Sequence, residues 1–222
     1  MERSTTGIVA LALLTSMAMP GSVVRAEPVA TDAPPPKVSA VWIERKQLFT
    51  YFGQTTYYSC YGLRDKVRYI LKQVGARSDL SVATSCVESG GSGIEVLPSV
   101  RIKAAFATEA TPELLQRLAE DAPERELVAR VRGKGDGVDS ATAQFPAVRH
   151  RVEFESERRG RIEDGDCELL EQLVSQVFEP AGLRVAADSR LACMRHSIPT
   201  GSVHLVLDTL QPAPKPDAPT DS

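Results

Sequence analysis

Residues 41–52 carry Val41, Trp42, Ile43, Leu48, Phe49, Tyr51 and Phe52, a composition that predicts a strand. Its alternation slips at Lys46-Gln47, where a bulge or bend is expected. Gly53 and the polar residues after it make a turn. Cys60, Leu63, Val67, Ile70, Leu71 and Val74 then recur at helical spacing, with Ser59 placed to cap the first turn and Gly75 to end the last. Leu80 and Val82 carry the chain back as a strand to Cys86. Val100, Ile102, Ala104 and Phe106 alternate with Arg101 and Lys103, the pattern of a half-buried strand. Thr111-Pro112 opens a short helix faced by Leu114, Leu115 and Leu118. A strand is predicted over residues 127–131, before a Gly-rich loop at residues 133–137.

The second half of the chain repeats this order. Val148, Val152 and Phe154 predict an inward-facing strand, and Asp166 stands where Ser59 caps the first helix. Leu170, Leu173, Val174, Val177 and Phe178 form a helical stripe ended by Pro180 and Gly182. Leu183 and Val185 start a strand, Asp188-Ser189 turns it, and Val203, Leu205 and Leu207 make the last strand. Sliding the chain along itself until Cys60 meets Cys167 also sets Cys86 on Cys193, and matches Leu63 with Leu170, Val67 with Val174, Gly75 with Gly182 and Arg77 with Arg184. Val41 and Gly53 likewise meet Val148 and Gly160. We read two duplicated strand-helix-strand-strand units in an α+β fold, with antiparallel sheet and helices packed on one face. The first six elements also fit a ferredoxin-like βαββαβ order.

The chain has four cysteines, and the two equally spaced pairs each bracket a helix and its returning strand. A helix over residues 60–74 rises about 21 Å at ~1.5 Å per residue, and a strand over residues 80–86 returns about 20 Å at ~3.3 Å per residue. Strand end and helix start therefore meet, which selects Cys60–Cys86 and Cys167–Cys193 from the three pairings that four cysteines allow.

Residues 1–26 have the layout of a secretory signal, an apolar run from Ile8 to Met19 followed by a small-residue exit at Ala26. That run is too short for the ~20 residues of a membrane span. The expected division is then a Pro-rich linker at 27–39, a first unit at 40–106, a connecting helix, strand and loop at 107–145, a second unit at 146–210 and a disordered tail at 211–222. Disulfides and a signal point to a periplasmic or secreted protein with no transmembrane segment after cleavage. Lysines and arginines number 26 against 29 acids, which gives no reason to expect nucleic acid as a partner.

Candidate chemistry is sparse. All five tyrosines, Tyr51, Tyr57, Tyr58, Tyr61 and Tyr69, fall in one short stretch close to Trp42, Phe49 and Phe52. Either they pack a hairpin on its helix, or Trp42, Tyr51, Tyr57, Tyr58 and Tyr61 present an aromatic surface to a partner. Arg130, Arg132, Arg149 and Arg151 would share a basic hairpin face, continued by Arg158, Arg159 and Arg161, with Glu153, Glu155 and Glu157 beside it to neutralise it. Cys193, Met194, His196 and His204 mix soft sulfur with imidazole, the ligands of copper or zinc, but a bridged cysteine is no thiolate ligand. Motifs of hydrolytic or redox catalysis are missing: no Gly-x-Ser-x-Gly, no His-Glu-x-x-His and no Cys-x-x-Cys. No catalytic residue, metal or cofactor is therefore assigned.

The run from Tyr58 through Cys60, Leu63, Arg64 and Lys66 to Val67, followed by Gly75-Ala76, resembles the Y-x-C-x-x-L-R-x-K-V motif of a family of small uncharacterised exported bacterial proteins. The resemblance spans residues 40–106 and implies export and a bacterial source, with no activity attached. The sequence thus points to a non-catalytic envelope module that binds a protein or glycan through the aromatic part of its first unit. A small hydrolase with an unrecognised site and a metal-binding periplasmic protein are the alternatives, and the oligomeric state is unassigned.

Overall fold

The computed structural model describes residues 36–86, 97–131, 143–156, 161–193 and 201–214. The expected signal, most of the linker, the Gly-rich loops near residues 89–93 and 133–137, and residues 215–222 lie outside these. Among the described residues, seven strands and four helices follow the order β1 (Lys37–Thr50), α1 (Cys60–Gln73), β2 (Ser81–Thr84), β3 (Ser99–Glu109), α2 (Pro112–Glu120), α3 (Ala122–Val131), β4 (Phe145–Glu155), α4 (Cys167–Leu173), β5 (Arg184–Val185), β6 (Arg190–Cys193) and β7 (Gly201–Pro212). They build one sheet of order β2-β3-β1-β4-β7-β5, and β6 also pairs with β7. Every pairing among them is antiparallel. The fold is α+β, as its sequence pattern predicts.

Side chains of α1 and α4 enter one core with the strands. Leu63, Val67, Ile70 and Leu71 join Phe49, Val100, Ile102 and Phe106, and Leu169, Leu170 and Leu173 join Phe154, Leu205 and Leu207, all in a continuous cluster. Ser59 caps α1, its hydroxyl accepting from the Gly62 N–H at 3.1 Å. Thr111 caps α2 in the same way, with Pro112 in the first turn. After Leu173 the α4 helix widens through Val174–Phe178, where the Glu179 N–H reaches back to the Val174 carbonyl.

Both disulfides form as the geometry requires, Cys60–Cys86 with Cα atoms 6.2 Å apart and Cys167–Cys193 at 5.4 Å. Gly75 and Gly182 close their helices at positive φ, 86° and 83°. The pairing registers of the two halves also correspond. Val100 faces Phe49 and Thr84 in the first half. In the second, Val203 faces Leu191 and accepts from the Ser156 N–H, and superposing the cysteines makes Ser156 and Leu191 the counterparts of Phe49 and Thr84. Where the halves meet, β1 pairs β4 with Val38 opposite Ala147, Ser39 opposite Pro146 and Ala40 opposite Phe145. The same superposition converts the first of these pairs into the last, so the junction is symmetric about Ser39 and Pro146.

Five sequence expectations need correction. First, the linker does not reach Ser39, because β1 begins at Lys37 to pair with Val148. Second, no bulge occurs at Lys46-Gln47, since the register with β3 is unbroken from Ala40 to Thr50. The polar slip arises because Gln47 donates from its side chain to the Gln176 carbonyl in the widened turn, at 3.2 Å. Third, residues 127–131 are helical, not a strand. Pro123 and Glu124 suit a first turn, and Glu126 pairs with Arg130 one turn on. The expected hairpin does not bring Arg130 to Arg149 and Arg151: Arg149 bridges Glu109 at 3.0 Å and Arg151 bridges Asp188, while Arg132, Arg158 and Arg159 lie outside the described residues. Fourth, Gln211 and Pro212 are not tail but the end of β7, opposite Val148 and Ala147. Fifth, Asp166 makes no side-chain cap to α4, because a tight turn at Asp164–Asp166 precedes the helix and directs its carboxylate elsewhere.

Candidate functional site

The segment between β1 and α1, residues 51–59, carries most of the aromatic cluster and rests on the start of α4. Tyr51 continues the β1–β3 ladder through its N–H to the Pro98 carbonyl at 3.0 Å, and its ring is fully buried. Its hydroxyl donates to the Thr56 carbonyl at 2.9 Å, which folds the segment back over the ring. Position 53 tolerates only glycine here, since a Cβ would lie 2.2 Å from that carbonyl and 2.7 Å from the Tyr51 ring.

The second half of the chain then holds the segment in place. Glu168, 3% exposed, accepts through Oε2 from the backbone N–H of Gln54 at 2.9 Å and of Thr55 at 3.2 Å. Gln172 clamps Phe52, its Oε1 accepting from the Phe52 N–H and its Nε2 donating to the Phe52 carbonyl, both at 3.0 Å. Tyr58 stacks edge-on against Tyr51 with ring centres 5.0 Å apart, and donates its hydroxyl to Asp166 Oδ1. Asp166, 2% exposed, also accepts through Oδ2 from Lys66 Nζ at 2.8 Å and from the Glu163 N–H at 2.8 Å. Burial first, then the neighbouring carboxylates, push both phenols up: Glu168 acts on Tyr51 and Asp166 on Tyr58. Both tyrosines are therefore neutral donors at physiological pH.

The five predicted contact residues are thus split. Tyr51 belongs to the core and Tyr58 packs against it. Trp42 stacks on Phe145 at 5.0 Å in a separate small cluster with Ala40, Ala107 and Ala147, and Arg77 lies over its ring at 5.7 Å. Tyr57 and Tyr61 face solvent, 59% and 61% exposed, as does Phe52 at 56%. Arg64 lies 5.0 Å above the Tyr61 ring and hydrogen-bonds Asp65, which holds the Asp65 carboxyl below its usual range. Sequence reasoning missed Lys66, Asp166, Glu168 and Gln172 as parts of this assembly, because their partners lie in the opposite half of the chain. The one local signal was Glu168, an acid between Cys167 and the apolar Leu169-Leu170.

A cleft of about 440 Å³ lies elsewhere, lined among others by Ile43, Arg45, Leu114, Arg149, Arg184 and Leu210. Glu109, Glu179 and Asp208 also line it, so it carries no single sign of charge. Of the cysteine-histidine metal set, Cys193 is bridged to Cys167, and Met194 and His196 lie outside the described residues. No protein family, curated protein or solved structure matches the chain.

Proposed function

We propose that the chain is a non-catalytic binding module, exported to the bacterial envelope, that recognises a protein or glycan through Phe52, Tyr57 and Tyr61. The observation that carries this reading is the contrast within one short segment. Three large aromatics face solvent while the backbone between them is fixed by Glu168, Gln172 and the Tyr51 and Tyr58 hydroxyls. Aromatic side chains on a rigid frame lose little conformational freedom on binding, which favours them as contact residues. Tyr51 and Tyr58 serve the frame instead of the contact, and Trp42 stacks on Phe145 in the separate cluster away from it. Two disulfides support a place outside the cytoplasm. The halves are, in this reading, two copies of one unit: corresponding registers, bridges and helix-ending glycines support that origin, and only the first copy carries tyrosines and a tryptophan.

The test is co-sedimentation with purified bacterial sacculi, alongside capture of solubilised envelope proteins on the immobilised chain. The expected result is binding to one of these, lost at least tenfold in a Phe52→Ser, Tyr57→Ser, Tyr61→Ser variant whose melting temperature is unchanged. Binding retained by that variant, or no binding to either material, overturns the proposal.

A further inference from the structure

β4 and β7 set Glu155 opposite His204, and Glu153 opposite Val206. Alternation along β4 puts Glu153 and Glu155 on the same side of the sheet as His204. The three side chains converge: His204 Nδ1 lies 3.2 Å from an oxygen of Glu153 and 3.2 Å from an oxygen of Glu155. One ligand atom from each residue lies within 4.8 Å of the other two, and no other group of histidines, cysteines and acids among the described residues converges this way. Arg151 is bridged to Asp188, and Arg190 stands across β7 from Glu155, opposite His204.

A neutral imidazole nitrogen has one proton or one lone pair, so Nδ1 can hydrogen-bond one carboxylate but not both. Two carboxylates brought to one nitrogen also repel each other. A cation held by the Nδ1 lone pair and both carboxylates removes both problems. Ligands at about 2.0–2.2 Å from a tetrahedral Zn²⁺ stand roughly 3.3–3.6 Å apart, close to the 3.2 Å between His204 Nδ1 and each of the two carboxylates, while all three ligand atoms lie within 4.8 Å of one another. We propose that Glu153, Glu155 and His204 bind a divalent cation of the zinc type, with its remaining coordination open to solvent. Mixed nitrogen and carboxylate ligands suit such a borderline ion. The side chains of His204, Glu153 and Glu155 are 32%, 50% and 62% exposed, so an ion reaches them without opening the fold. This site is independent of the aromatic segment and of the disulfides.

The experiment uses the tag-free, disulfide-intact chain, cleared of metal by a chelator and titrated with Zn²⁺ by calorimetry at pH 7.5, with Co²⁺ absorption as a second readout. The expected result is one saturable equivalent and a Co²⁺ spectrum of low coordination number. His204→Gln, and separately the pair Glu153→Gln with Glu155→Gln, should each weaken Zn²⁺ at least tenfold, while His150→Ala leaves it unchanged. Because Glu→Gln preserves side-chain shape and His204 is itself 32% exposed, far-UV dichroism and melting should match the parent. Absence of saturable binding, or binding that survives both variants, overturns the proposal.

Discussion

Asp166 ties together three donors, two of them from the opposite half of the chain: Tyr58, Lys66 and the neighbouring Glu163 backbone. Replacing it by alanine leaves the half-buried Tyr58 phenol without this acceptor and the Lys66 ammonium with the Arg161 carbonyl at 2.7 Å, so the loss should lie near the lower end of the about 3–5 kcal/mol that breaking a buried pair costs. Urea unfolding of Asp166→Ala should show a loss of that order, whereas Tyr58→Phe, which removes one bond to a charged acceptor, should cost about 1.5–3 kcal/mol. The same contacts set an alkaline response. Tyr51 and Tyr58 have phenol pKa values raised above the ordinary 10.0, so the folded state holds these protons more tightly than the unfolded state. Their stabilisation is complete below pH 10 and is lost as pH rises beyond it. Tyrosinate absorbance should therefore include a step that coincides with alkaline unfolding, and that step should shrink in a Tyr51→Phe, Tyr58→Phe variant; a titration identical to the parent's would refute the assignment. Residue-level readings of the sequence had least purchase here. A tyrosine at a strand end looks the same whether its hydroxyl lies in water or 3.4 Å from Glu168 Oε2, and nothing near Tyr51 in the chain announces a carboxylate that comes from the other half.

At the scale of elements, the helix stripes, their glycine stops and the cysteine pairing were legible, because each depends on neighbours close by in the chain. The α3 helix was not, since Leu127 and Val131 fit a strand as well as a helix over so short a span, and Leu127, Val128 and Val131 remain exposed. The two helix-ending glycines allow a paired comparison. At Gly182 an added Cβ meets nothing within 4 Å, so Gly182→Ala isolates the cost of positive φ, about 1–2 kcal/mol. At Gly75 the Cβ would lie 3.2 Å from the Gln211 side chain, whose flexible end can move. Gly75→Ala should therefore cost at least as much as Gly182→Ala, and chemical denaturation of both variants checks the order. The disulfides offer a second comparison. Each closes a separation of 26 residues, for which loop-closure entropy gives about 3.5 kcal/mol. Replacing either cysteine pair by alanines should cost that order, so two very different losses would mean that the units are not equally reliant on their bridges.

At the scale of the whole molecule, the question is whether the two halves unfold separately. Among the described residues, their strands join only through the short pairing between Lys37–Ala40 and Phe145–Val148, a weak hinge if it stood alone. The helices supply the rest. One core cluster runs from Phe49 and Leu63 to Leu170 and Leu205, and the first half's aromatic segment takes its acceptors Asp166 and Glu168 from the second half. Neither half can leave the other without exposing apolar surface and stranding buried polar groups. A single cooperative transition should follow, with tyrosine fluorescence, which reports only the first half, and far-UV dichroism, which reports both, giving one midpoint. The same dependence predicts that residues 36–109 expressed alone will lack a cooperative transition, because Tyr58 and Lys66 lose Asp166 and the Gln54 and Thr55 amides lose Glu168. Separate midpoints in the full chain, or a stable isolated first half, would mean that the shared core contributes little and that the β1–β4 junction joins two independent domains.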